Sequence, residues 1–116
     1  MNNTWPSTVD EAVEILLKVL PDRYKEQVRS TERKHLLRFH FTLGPGIRNS
    51  FGLWGRNWKL NYSCCAAELR SLGLRYDNAP LQLMHPDHCS TVILQALWER
   101  LQEKGDHAKA DGPAAI

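Results

Sequence analysis

The segment Gly44–Asn49 carries the residues with the clearest chemical potential, since two glycines flank a proline and an arginine and an asparagine follow. A helix that restarts there would direct free backbone N–H groups outward, and a guanidinium adds a forked contact to a carboxylate or phosphate. Gly46, Arg48 and His40 are therefore a candidate anion site.

The same residues also have a structural interpretation. Arg48 would pair with Asp87 at the start of the last predicted helix, and Asn49 would cap a turn, so that both serve to hold the fold together. His40 follows Leu36 by one helical turn, a position at which a histidine commonly serves the core through a hydrogen bond. Both interpretations stay open at the level of the sequence.

Metal binding and cysteine chemistry lack a complete motif. His85 and His88 have the spacing of one zinc knuckle, but Cys64 and Cys65 are adjacent and do not form a second one. The cysteines also fall in or beside the apolar stripes of predicted helices, where a thiol packs as a small apolar side chain. Paired carboxylates, a phosphate loop and a nucleophile elbow are missing as well. We therefore expect no metal, no cofactor and no enzymatic activity.

Length and composition fit one domain. The chain has 116 residues, of which 42% are hydrophobic and 24% charged, as is typical of a soluble globular protein. No basic start precedes an apolar run, and no stretch approaches the roughly 18 apolar residues of a membrane span. The sequence thus predicts a cytoplasmic protein without a membrane partner. Three cysteines do not make an even disulfide framework, so we expect them to be reduced.

Charge is distributed unevenly along the chain. The net charge is +2, but the segment from Arg33 to Arg75 holds eight basic residues and one acidic residue, so the remainder of the chain is acidic. A basic middle favours encounter with an anionic partner through long-range electrostatics. Scattered charges that neutralise one another in the folded chain are the alternative interpretation.

Apolar residues recur with the period of a helix, and no run of strict alternation predicts a strand. The sequence therefore predicts a single compact all-α domain of about five helices over residues 1–104. The small and polar residues 105–116 are expected to form a flexible tail. No internal repeat is found, and no particular oligomeric state is favoured.

Capping residues and prolines define the ends of the outer helices. Thr8 and Glu11 form a capping box that begins the first helix, and Pro21 ends it. The last helix begins at Pro86 and is expected to stop near Gly105. The inward-facing positions are Val9, Val13, Leu16 and Leu20 in the first helix, and Cys89, Ile93, Leu97 and Leu101 in the last.

The middle of the chain contains a helix-breaking signal. Pro45 lacks the N–H that the helical ladder needs, and its ring crowds the preceding turn. The third helix is therefore expected to be kinked or broken at Gly44-Pro45-Gly46. Its predicted inner side comprises Leu36, Phe39, His40 and Leu43, continued beyond the break by Ile47, Phe51 and Trp54. A fourth helix begins at the cap residue Asn57, and its predicted inner side comprises Trp58, Tyr62, Cys65, Leu69 and Leu72.

Several of these residues together resemble a family of small, functionally uncharacterised bacterial and phage-associated proteins. The motifs are WPxTVxEAV over residues 5–13, HFxLGxxIRNxFGLWxxN over residues 40–57, HPD over residues 85–87 and LW over residues 97–98. The resemblance implies a compact helical domain and no established reaction. The chain departs from the family pattern at Pro45, where the helix usually continues, and over residues 66–83, which form a longer connection to the HPD motif.

The function expected from these features is protein binding without catalysis. Arginine and tryptophan are frequent anchors of protein interfaces, and a small rigid domain suits an inhibitor or immunity-type protein that acts by occlusion. The resemblance to phage-associated proteins implies one example, a phage-encoded inhibitor of a bacterial defence complex that serves host defence evasion. The expected contact surface for an acidic protein lies on the segment Gly44–Lys59 and comprises Arg48, Asn49, Arg56, Trp58 and Lys59.

Nucleic-acid binding is the alternative function. The stretch of residues 48–62 combines basic side chains for phosphates with aromatic rings that stack on bases. Two features count against it, because Trp54, Trp58 and Tyr62 fall on predicted core stripes and a net charge of +2 is modest for a nucleic-acid-binding domain.

Overall fold

Helices make up most of the described chain. The computed structural model describes residues 5–55, 57–73 and 85–111, and it describes side chains up to residue 103. Its elements are α1 (Val9–Val19), α2 (Asp22–Ser30), a 3₁₀ helix (Arg33–His40), α3 (Gly44–Ser50), α4 (Trp58–Leu72) and α5 (Pro86–Asp111). These ranges contain no strand. The predicted single all-α domain of about five helices is confirmed.

Helix α5 is the central element of the fold, because it packs against α1, α2, the 3₁₀ helix, α3 and α4. The stripe predicted for it is buried, with Cys89, Ile93 and Leu97 fully enclosed and Leu101 almost so. Full burial of one such aliphatic side chain favours folding by roughly 1.5–3 kcal/mol. The remaining core residues come from the other helices, chiefly Ala12, Val13, Leu16, Val28, Leu36, Phe39, Ile47, Phe51, Leu53, Leu60 and Cys64.

The beginning of α1 follows from its capping residues. The Thr8 side chain accepts a hydrogen bond from the backbone N–H of Glu11 at 3.1 Å. The Glu11 carboxylate in turn accepts one at 2.8 Å from the backbone N–H of Ser7, which is the residue before the cap and not the cap residue of the usual capping box. The helix ends at Val19, two residues before Pro21, as predicted.

The predicted break in the third helix is present, but the segment before the break is not an α-helix. Residues Arg33–His40 form a 3₁₀ helix, and its buried residues Leu36 and Phe39 are three positions apart, which is the period of that helix. Helix α3 begins at Gly44 with Pro45 in its first turn, where the missing N–H interrupts no helical bond. The break therefore separates two helices instead of bending one.

The predicted inner stripe does not reach Trp54, whose side chain is 59% exposed. Helix α3 ends at Ser50, and the chain then turns through Gly52, whose φ of 69° lies in the left-handed region. The ring of Trp5 fills the space where a Cβ of residue 52 would lie. The helical phase is lost at this turn, so the prediction that Trp54 lies in the core is wrong.

Helix α4 faces the core with a different side from the one predicted. Trp58 and Tyr62 are 65% and 48% exposed, and Leu72 is also exposed, so these three predictions are wrong. The amide of Asn61 points inward and donates a hydrogen bond to the Cys89 sulfur at 3.3 Å, which fits the observed rotation. The buried residues of α4 are Leu60, Asn61, Cys64, Cys65 and Leu69.

Helix α5 continues beyond its predicted end at Gly105 and reaches Asp111, so the predicted stop is wrong. Two alanines and a lysine between these residues have high helix propensity, which offsets the cost of about 1 kcal/mol for a glycine within a helix. The predicted tail overlaps this helix over residues 105–111, and its last residues 112–116 lie outside the described residues. None of the described helices combines the length and the hydropathy that crossing a bilayer requires.

Asn57 links the start of α4 to two other segments. Its side-chain oxygen accepts a hydrogen bond from Leu60 N at 3.3 Å, and its amide donates to the carbonyl oxygens of Pro6 at 2.7 Å and Phe51 at 2.8 Å. We expect Asn57→Ala to lower the free energy of unfolding by about 2 kcal/mol, because buried polar groups lose their partners. Urea denaturation measures this loss. The exposed Asn49→Ala is the control, and equal losses in both variants would refute the account.

Candidate functional site

Arg48 lies inside the protein, with 8% of its surface exposed. Its Nη1 donates a hydrogen bond to the Ser90 hydroxyl at 3.1 Å, and its Nε lies 3.4 Å from Oδ1 of Asp87. Gly44 makes room for the guanidinium, since a Cβ there would lie 2.7 Å from Nη1. Arg48 therefore joins α3 to the start of α5, as its structural interpretation expected, and its guanidinium does not form part of an exposed surface.

The positions proposed for an anion site do not converge in the structure. Gly46 lines a hollow beside α1, whereas His40 lines a separate hollow beside α5. Arg48 lines neither hollow, and its guanidinium pairs with Asp87. His40 is half-buried, and its Nδ1 is enclosed without a hydrogen-bond partner among the described residues. The geometry gives these three positions no common ligand.

Of the other predicted contact residues, those that the structure describes lie at the surface. Asn49 on α3 and Lys59 on α4 are exposed, and Trp58 is 65% exposed at the first position of α4. Lys59 forms no ion pair with a described residue. Arg56 and residues 74–83 of the longer connection lie outside the described residues. Asn49, Trp58 and Lys59 are thus accessible to a partner.

A cluster of exposed apolar residues lies next to the start of α5. Phe41 is 83% exposed and Leu37 is 68% exposed. Both line a hollow of about 500 Å³ together with His85. The ring of Trp54 meets the ring of His85 edge to face, with their centroids 5.8 Å apart. We refer to Leu37, Phe41, Trp54 and His85 as the aromatic face.

Local geometry explains why the aromatic face is exposed. Leu36 and Phe39 occupy the inner side of the 3₁₀ helix, so its three-residue period leaves Leu37 on the outside. Phe41 directly follows the end of that helix, and Trp54 lies in the turn after α3. Leu37 and Phe41 were not among the residues predicted for a contact surface. The sequence nevertheless indicated them, because both are apolar and neither belongs to the predicted inner side of this segment.

The aromatic face has cationic and histidine side chains at its border. Lys34 lies one turn before Leu37 on the 3₁₀ helix, is exposed and forms no ion pair with a described residue. Three carboxylates lie near this border, and each has a described partner: Asp87, which also lines the hollow, meets Arg48 at 3.4 Å, Glu32 lies 3.5 Å from His35, and Glu68 lies 4.0 Å from His88. This border therefore offers an unpaired positive charge to an acidic partner.

The three cysteines are free and buried. The Cys64 thiol donates a hydrogen bond to the backbone carbonyl of Cys89 at 3.6 Å. Its hydrogen bond with the Cys89 side chain, together with burial, raises the pKa of the Cys64 thiol well above its usual range. Among the residues with a described position, no group of three or more His, Cys, Asp or Glu side chains is arranged to hold a metal ion.

We expect all three thiols to be protected in the folded protein. A thiol reacts as its thiolate, and burial shields all three thiols from the reagent. A raised pKa further disfavours the thiolate at Cys64. Hydrogen bonds with Cys64 and Asn61 lower the pKa of Cys89, so its protection depends on burial alone. Reaction with Ellman's reagent at mildly alkaline pH should be at least about 100-fold slower in buffer than in denaturing urea, because reaction requires opening of the core. One thiol that reacts rapidly in the native protein would contradict the buried arrangement.

Comparison with known proteins places the chain in one family. A family model described as a domain of unknown function (DUF6794) matches residues 5–101. No curated protein and no solved structure gives a significant match. The matched range contains the aromatic face and reaches from the residues before α1 into the second half of α5.

Proposed function

This chain belongs to the DUF6794 family, and we propose that it is a protein-binding module that docks an acidic partner on its aromatic face. The observation that carries the proposal is the exposure of Phe41, at 83%, which lines one hollow with Leu37 and with His85, the residue whose ring Trp54 meets. Contiguous apolar surface of this kind marks interaction sites, because a soluble protein gains little from leaving it in water. In this proposal the module binds a partner protein and catalyses no reaction.

The shape of the aromatic face suits an inserted side chain. The hollow of about 500 Å³ lies between the 3₁₀ helix and the start of α5, which are both regular elements. A partner side chain placed there would contact Leu37 and Phe41 on one side and His85 on the other. Aromatic side chains around a pocket are the usual hot spots of protein interfaces.

Charge supports an acidic partner. Lys34 and Lys59 are exposed cations that form no ion pair with described residues. Acidic groups on a partner would therefore meet unpaired positive charge and increase the association rate, an effect that salt weakens. Asn49 on α3 and Trp58 on α4 are also exposed, and we include them as further contact residues for the partner.

An inhibitor or immunity-type protein is the narrower form of this proposal. Docking that covers a partner's working surface needs no catalytic group on the module itself. The resemblance to phage-associated proteins supports one example, an inhibitor of a bacterial defence complex encoded by a phage. In that case, the partner's activity falls as the module is added and reaches its minimum at one module per binding site.

One observation favours nucleic-acid binding as a second candidate function. Trp58 and Tyr62 are exposed one turn apart on α4, next to Lys59. Their expected burial counted against this function, and the observed exposure removes that objection. Exposed rings beside a cation can stack on the bases of a single strand while the cation contacts phosphate.

Capture with matched variants tests the proposed function. The wild-type protein is compared with a triple variant, Leu37→Ala, Phe41→Ala and Trp54→Ala, and with a control that truncates the exposed Val19 and Leu72 to alanine. We expect the same purified partner to bind the wild type and the control, but not the triple variant. Equal binding by all three proteins would contradict the proposal.

The second candidate has its own measurement. Labelled single-stranded DNA and RNA are titrated with the wild type and with Trp58→Ala, and the salt concentration is varied. We expect no saturable shift if the chain is a protein-binding module. Binding that weakens steeply with salt and is lost in Trp58→Ala would instead support the nucleic-acid function.

A further inference from the structure

Another hollow lies between α1, α3 and α5, and it shares no lining residue with the hollow of the aromatic face. Its volume of about 400 Å³ is within the size range of small-molecule sites. Aliphatic side chains dominate its walls, and the polar side chains that line it are two hydroxyls. The aliphatic lining includes Ile15, Leu20, Leu43, Ile47 and Leu97, and the hydroxyls belong to Thr42 and Ser50.

Gly46 lines this hollow, and its backbone conformation does not require a glycine. It lies within α3 without a positive φ, so an ordinary residue fits its conformation. A Cβ added at Gly46 would meet no heavy atom within 4 Å. Glycine weakens a helix relative to alanine, and at this position no close packing compensates for that. The position is exposed and lies at the edge of the hollow, so a larger side chain there has room to extend over it.

A second hollow adjoins the apolar one, and we call it the polar hollow because a guanidinium, an amide and two hydroxyls line it beside the apolar side chains of Phe39 and Leu43. The two hollows share Thr42 and Leu43, and the polar hollow, of about 320 Å³, is also lined by Tyr24, Gln27 and Arg38. Arg38 is exposed and forms no ion pair with a described residue. The combined space therefore has an aliphatic part at one end and a guanidinium at the other.

The charges around the polar hollow favour an anion. Arg23 donates a hydrogen bond to the Tyr24 hydroxyl at 3.2 Å, which places a second guanidinium beside the hollow. The two carboxylates of α2 have basic partners on the same helix, since Asp22 pairs with Lys25 and Glu26 pairs with Arg29. Arg38 and Arg23 thus present positive charge that no described carboxylate neutralises.

We propose that the two hollows together bind an amphiphilic carboxylate of the fatty-acid class. Its unbranched chain lies against the aliphatic walls beside Gly46, and its carboxylate accepts hydrogen bonds from Arg38. The aliphatic walls suit a flexible chain better than a polar ring, because they offer few hydrogen-bonding groups. This site is separate from the aromatic face and does not depend on the proposed protein partner.

Calorimetric titration with sodium dodecanoate, kept below its micelle concentration, tests this site. We expect saturable binding of one dodecanoate per chain to the wild type. Gly46→Leu places a bulky side chain at the edge of the apolar hollow and should weaken binding at least about tenfold, a difference that titration resolves easily. Gly46→Ala is the matched control, and we expect its affinity to stay within about twofold of the wild type. Circular dichroism establishes that both variants are folded.

A charge series locates the carboxylate. Arg38→Gln should weaken dodecanoate binding about tenfold, because a hydrogen-bonded ion pair is lost. The same change should leave binding of the neutral probe 1-decanol unaltered, and Lys18→Gln, at an exposed cation of α1 outside both hollows, should not affect either probe. Absence of saturable dodecanoate binding to the wild type overturns the proposal, as does an affinity unchanged in both Gly46→Leu and Arg38→Gln.

Discussion

The double variant Phe41→Ala and Trp54→Ala is expected to bind the protein partner at least about 30-fold more weakly than the wild type, which corresponds to about 2 kcal/mol. Phe41 is 83% exposed and Trp54 is 59% exposed, so truncation removes little packing from the free protein. In the complex both rings would be buried against the partner. Titration calorimetry with the purified partner measures the affinity, and urea denaturation should show a free energy of unfolding within about 0.5 kcal/mol of the wild type.

A matched control separates the aromatic face from general hydrophobicity. Val19 is 65% exposed and Leu72 is 55% exposed, and both lie on other elements of the fold. Their replacement by alanine should leave partner affinity within about twofold of the wild type, because exposed residues outside an interface contribute little. Equal losses in the two double variants would show that the aromatic face has no special role.

Arg48→Ala is expected to lower the free energy of unfolding by about 3 kcal/mol. The guanidinium is buried, and its removal leaves Asp87 and the Ser90 hydroxyl without the partner that joins α3 to α5. The estimate is at the lower end for a buried ion pair because the Asp87 side chain is 48% exposed. Urea denaturation followed by circular dichroism measures the loss.

The same variant distinguishes a structural role from a contact role. Lys59→Ala, which removes an exposed cation without an ion pair among the described residues, should change stability by less than about 0.5 kcal/mol. At a temperature where Arg48→Ala is still folded, its affinity for the partner should equal that of the wild type. Normal stability combined with lost binding would restore Arg48 to the contact surface and refute the structural assignment.

Local rules predicted the parts of the fold that depend on neighbouring residues. The cap of α1 at Thr8, the cap of α4 at Asn57 and the helix break at Pro45 each follow from groups within a few positions. The inner stripe of α5 was also predicted correctly, because this helix is surrounded by the others and its apolar period is regular. The two caps and the break therefore follow from the local sequence, whereas the stripe of α5 follows from its regular apolar period.

Features that depend on distant contacts were not predictable in the same way. Arg48 finds its hydroxyl partner at Ser90, 42 positions away, and the sequence alone left its role open. The rotation of α4 depends on whether Trp58 or Leu60 faces the core. An apolar count favoured the tryptophan, but the Asn57 cap and the contact between Asn61 and Cys89 accompany the opposite orientation.

The candidate sites likewise combine features that the sequence indicates with features that depend on distant contacts. Leu37 and Phe41 were recognisable as apolar residues outside the inner side of their segment. Their proximity to His85 was not recognisable, because it requires the 3₁₀ helix to pack against the start of α5. Likewise, nothing in the sequence places Arg38 beside an apolar hollow formed by α1 and α3. Surfaces built from several elements become visible only in the folded chain.

Photocross-linking from position 41 tests the central proposal most directly. Phe41 is replaced by p-benzoylphenylalanine, which its 83% exposure should accommodate, and Leu72 is replaced in the same way as the control. After irradiation with the partner, we predict a covalent adduct from position 41 and none from position 72. An adduct from position 72 alone, with position 41 unreactive in a complex that still forms, would show that the partner docks elsewhere.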